Sequence, residues 1–102
     1  MVKKLLSWAL MNANSAEVIG LNALSWLIGH EDLLSVFQGA TGISATDLKS
    51  QVGEPELMAA VLDFVLQDDA WVLEFAAFAG LDPNDLAAAR AHLPGGDMPN
   101  WT

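Results

Sequence analysis

The sequence predicts an all-α fold, a compact bundle of about six to seven short helices. Three observations carry that expectation. Apolar residues recur at helical spacing, as at Val2, Leu5, Leu6 and Ala9. Helix start and stop residues recur along the whole chain. No segment sustains the alternation of a half-buried strand.

Residues 2–12 read as a short N-terminal helix with one apolar face. Lys3 and Lys4 before an apolar run resemble the start of a signal peptide. That run is short, includes Ser7, and is followed by a poor cleavage site at Asn12–Ala16. Asn14 and Glu17 are spaced as a capping box, predicting a helix from about Ser15 to Ile28, with Gly29 as its stop. Glu31 and Asp32 then suit the N-terminal dipole of a helix that runs to about Thr41. Gly42 is placed as the left-handed C′ residue of a Schellman motif, with Ile43 folding back toward Phe37. Ser44, with Asp47 three residues on, caps a helix to about Val52. Pro55 suits the first turn of a helix reaching about Gln67. Asp68 and Asp69 open the next, which Gly80-Leu81 ends. Asp82 caps the last, with Pro83 at N1 and Asp85 at N3, and it runs to about His92.

The signals repeat at an offset of 38 residues. Leu24, Phe37, Gly42, Asp47 and Leu48 correspond to Leu62, Phe75, Gly80, Asp85 and Leu86. The expectation is two pseudo-symmetric three-helix repeats, 17–53 and 55–91. They lie in one domain spanning residues 1–93, with a flexible tail at 94–102. Two copies are too few for a solenoid.

Composition narrows the function. The 102 residues are 53% hydrophobic and 17% charged, which excludes general disorder. Thirteen acids against four Lys and Arg leave a net charge of −9, which disfavours binding to phosphate backbones. With no cysteine, the chain has neither disulfides nor thiolate chemistry. No apolar run is long enough to span a membrane, and two lysines are too few to hold the N-terminal helix on a membrane surface. The stretch 56–67 is apolar nearly all round, as in a helix at the centre of a bundle or under another chain.

The second repeat carries a resemblance. The runs Ala59–Asp69, Phe75–Pro83 and Ala89–Gly96 are similar to a family of small bacterial proteins known as domain of unknown function 3572. The first repeat is similar through Leu24–Leu27 and Thr41–Ile43, so the likeness spans about residues 17–97. It implies a bacterial source and a cytoplasmic protein. It brings no activity, cofactor or catalytic residue.

Four kinds of chemistry find residues in the sequence. Gly42-Ile43 between Phe37 and Leu48 has helix-turn-helix spacing, but a reading helix at 44–52 would offer a DNA groove only Lys49 and Gln51, opposed by Asp47. His30-Glu31-Asp32 places three metal-ligand types in a row without the helical spacing of a zinc or iron site. Asp63 among Leu62, Phe64 and Val65 is a candidate carboxylate with a raised pKa, in a cluster with Glu54, Glu56, Asp68, Asp69 and Glu74. Trp71 lacks apolar cover in the pattern, and Met98 and Trp101 punctuate the tail, so all three suit a docking role. The leading expectation is a non-catalytic, acidic helical interaction module with a protein partner or a second copy. It has no cofactor, no metal, no nucleic acid and no membrane. Its contact residues would be Trp71, Met98, Trp101, Asp68 and Asp69. A helix-turn-helix-like regulator and a small enzyme with a carboxylate site are the alternatives.

Overall fold

A computed structural model describes residues 13–94. The N-terminal helix expected at 2–12, Met98 and Trp101 lie outside the described residues. Six helices follow in order: α1 (Ala13–Ile28), α2 (Glu31–Thr41), α3 (Ala45–Gln51), α4 (Pro55–Val65), α5 (Asp69–Ala79) and α6 (Asn84–Ala91). There is no strand among the described residues.

The helices stop and start where their chemistry requires. Ser44 Oγ accepts from the Asp47 N–H at 3.1 Å, and Asp47 accepts from the Ser44 N–H at 3.2 Å, a complete capping box for α3. The Asp82 side chain accepts from the Asn84 N–H, and Asp85 accepts from the Asp82 N–H, so α6 opens with only the returning half of that box. Pro83, expected at N1, stands instead at the N-cap: the entry tightens into bonds from Asp85 to Asp82 and from Leu86 to Pro83, so α6 starts at Asn84 although Pro83 has helical dihedrals. Asp68 Oδ1 accepts from the N–H groups of Ala70 and Trp71 to cap α5.

The two glycine stops differ. Both Gly42 (φ 76°) and Gly80 (φ 70°) are left-handed. At Gly80 the N–H of Leu81 reaches back to the Ala76 carbonyl, the Schellman bond. At Gly42 the Schellman expectation is corrected. Its own N–H bonds the Gln38 carbonyl, while the Ile43 N–H donates to the Thr41 hydroxyl instead. The Thr41 hydroxyl, donating in turn to the Phe37 carbonyl, competes locally for the bond.

Two further expectations need correction. Asn14 is not an N-cap: α1 is already helical at Ala13, an excellent helix former, so Asn14 sits inside the first described turn. Helix α4 ends at Val65 rather than Gln67, because the last turn tightens into bonds from Gln67 to Phe64 and from Asp68 to Val65.

The core forms around α1 and α4. Helix α4 buries Leu57, Met58, Ala59, Val61, Leu62, Phe64 and Val65. Only Glu56 and Asp63 are exposed on it, with Pro55 and Ala60 half-buried. Helix α1 meets α4 with a face of small residues, Ala16, Gly20 and Ala23, all buried. A Cβ built on Gly20 would lie 2.6 Å from Met58 Cβ, so glycine is required for the two axes to come this close. Aromatic contacts tie α2 and α5 onto this pair. Phe64 meets Phe37 edge-on at 5.4 Å and stacks on Trp71 at 4.8 Å, while Trp26 meets Phe75 at 6.0 Å. Each such pair adds about 0.5–1.5 kcal/mol to the area it buries.

Local elements recur along the chain, but the packing does not repeat evenly. Helix α6 lies against both α1 and α4, whereas α3 buries only Leu48 at the periphery.

Two stability predictions follow from these contacts. Gly20→Ala forces two backbones apart at a Cβ, costing about 1–3 kcal/mol against a helix-propensity gain of about 1 kcal/mol. The expected result is a fall in Tm of several degrees in a thermal melt. A raised Tm would refute the close approach. Ser44→Ala is expected to cost about 1 kcal/mol. Because α3 has little packing to hold it, amide exchange over residues 45–51 should rise more than over α4.

Candidate functional site

Each candidate group lands in a definite place. His30 Nδ1 lies 2.8 Å from the Trp26 carbonyl, so its N–H caps the end of α1, and its ring rests 4.6 Å from Trp26. Glu31 and Asp32 are exposed in the first turn of α2. They border an open hollow of about 540 Å³ with His30 and Leu33. Among the described residues, no three His, Asp or Glu side chains come together as a metal site.

The expectation of an apolar setting for Asp63 is corrected. It sits on the solvent strip of α4, with its side chain 54% exposed, and accepts from Arg90 Nε at 2.6 Å. The helix period is the reason: Asp63 is seven residues from Glu56, while its apolar neighbours in sequence point elsewhere. Arg90 also donates to the Pro94 carbonyl at 2.8 Å, so one guanidinium fastens the end of α6 to α4. The buried acid is instead Asp85, 4% exposed, whose second carboxylate oxygen has no hydrogen-bond partner. It lies four residues before buried Ala89, a spacing that marks it as inward-facing.

Lys49 on α3 is exposed beside Asp47, whose carboxylate is taken up in the capping box. Lys3 and Lys4 lie outside the described residues. Trp71 is half-buried and stacked on Phe64, so its indole is largely accounted for by the core. Asp68 is likewise used as a cap, leaving Asp69 exposed beside it.

The surface that sequence reasoning missed lies along α5. Leu73 is 59% and Phe78 61% exposed, on a helix that fully buries only Phe75 and Ala76. Between α5 and α6 runs an open groove of about 410 Å³, lined by Leu66, Val72, Leu73, Pro83 and Ala87, with Asp69 and Asn84 as its polar residues. The groove stays open because α6 presents Ala87 there, a methyl group where a longer side chain would close it. Ala70, Leu73 and Ala77, exposed at i, i+3 and i+7, carried this signal in the sequence. A second exposed apolar stripe, Val18, Leu21 and Ile28, runs along α1. No helix among the described residues is long and apolar enough to cross a membrane.

One expectation tests the Arg90 contact. Asp63→Ala removes an exposed ion pair and should cost about 0.5 kcal/mol or less. Arg90→Ala also frees the Pro94 carbonyl and should cost about 1 kcal/mol. Chemical denaturation of both variants in parallel checks the order, and the reverse order would rule out Arg90 as the fastening of α6.

No curated protein and no solved structure matches the chain. A family described as protein of unknown function (DUF3572) matches residues 13–96, from the first described turn of α1 to just beyond Pro94. That match spans every helix described above, and the chain belongs to this family.

Proposed function

We propose that this protein is a non-catalytic, acidic helical interaction module of the bacterial cytoplasm, working through the exposed face of α5. The observation that supports this is Leu73, 59% exposed in a groove lined mostly by apolar side chains, with Phe78 exposed elsewhere on the same helix. An apolar groove with a large exposed side chain at its edge is the kind of surface that marks an interaction site. The acidic balance gives the same surface a sign: thirteen acids against four Lys and Arg. Protein partners, including a second copy, compete for such a face.

Parallel affinity enrichment tests the reading. The full chain and a Leu73→Ser/Phe78→Ser double variant serve as baits in a bacterial lysate. Both side chains are exposed, so the variant should melt within a few degrees of the parent. The expected outcome is a stoichiometric partner held by the parent and lost from the variant. Identical recovery by both baits would refute a role for this face.

A further inference from the structure

We propose that the α5–α6 groove receives the apolar face of a basic amphipathic helix from a partner protein, a deepening that rests on the interaction-module reading above. The groove has the shape for this. It is an open apolar trough in which Leu73 stands largely exposed and Ala87 leaves room opposite. A helix fills such a trough with side chains at i, i+3, i+4 and i+7.

Charge selects the kind of helix. Asp69 lies in the groove one turn before Leu73, and Glu74 follows Leu73 on the same exposed helix. Neither has an ion-pair partner among the described residues. Asp68 differs, because its carboxylate already serves backbone N–H groups. The Lys and Arg residues of the described chain are Lys49, on peripheral α3, and Arg90, which Asp63 occupies. Nothing basic on the domain's described surface therefore answers Asp69 and Glu74. Lysines or arginines flanking the apolar stripe of a docked helix would answer them. A second copy fits less well. An isologous contact through this groove would set against Asp69 a surface of the same sign, from a chain of net charge −9.

The probe is a fluorescein-labelled designed helix of about 14 residues, with leucines at i, i+3, i+4 and i+7 and lysines between them. A matched helix carries glutamates in place of the lysines. Fluorescence anisotropy with the full chain reads binding at several salt concentrations. The lysine helix is expected to bind and to weaken as salt rises. Leu73→Ser, which removes the anchor, and Ala87→Phe, which fills the groove, should each weaken it at least about tenfold. Asp69→Asn should weaken it about threefold and flatten its salt dependence. Val36→Ser, at an equally exposed position on α2, should leave it unchanged.

Three outcomes would overturn the proposal. If the glutamate helix binds equally well and still needs Leu73, the basic occupant is wrong while the interaction module stands. If the lysine helix binds Leu73→Ser and Ala87→Phe as tightly as the parent, the groove is not its site. If sedimentation finds a dimer that Leu73→Ser dissolves, the occupant is a second copy.

Discussion

The close contact between α1 and α4 is the constraint on which the rest of the architecture depends. Helix axes usually pack 8–10 Å apart, depending on the side chains between them. Here the side chain at the point of nearest approach is absent: Gly20 faces Met58 Cβ. Ala16 and Ala23, one turn to either side, keep the groove shallow along that face of α1. With the two helices this close, the seven buried side chains of α4 reach past the contact and become the floor for α2, α5 and α6. Phe64 shows how: from the last turn of α4 it engages both Phe37 and Trp71.

That arrangement explains where the apolar excess goes. A single domain of this size can nearly enclose one helix, and α4 comes closest, with only Glu56 and Asp63 exposed. Helix α5 has almost the same apolar content, but only Phe75 and Ala76 are sealed. Its other large side chains divide between half-burial, as with Trp71 and Val72, and exposure, as with Leu73 and Phe78. The small residues that let helices approach in the core have a second effect at the surface. Ala87 on α6 leaves a trough beside Leu73, and the acid that opens α5 lies in it. Core economy and a candidate docking surface thus come from the same reliance on alanine and glycine.

Much of the fold was legible because it is written in local chemistry. The capping box at Ser44 and Asp47, the linked acids at Asp82 and Asp85, and the left-handed Gly42 and Gly80 follow from bonds spanning five residues or fewer. The misreadings arose where a local signal met a competing bond or a longer helix. Thr41 diverted the Ile43 N–H, and the backward extension of α1 enclosed Asn14. The candidate site was less legible. Asp63 drew attention through its neighbours in sequence, which the helix turns away from it. Asp85 looked like an ordinary cap, and only the packing of α6 against α1 and α4 buries it.

The sequence by itself determined the helical class, the order of the helices, most of their caps and stops, and the sign of the surface. Those depend on backbone hydrogen bonds within a turn or two, and on a charge count that no folding can alter. The tertiary structure decided which of two similarly apolar helices lies at the centre. It also decided which carboxylate is buried and where apolar surface is left over. The physical reason is that burial is a property of neighbours distant in the chain. A methyl group at Ala87 and a missing one at Gly20 acquire meaning only when α5 and α4 are set against them.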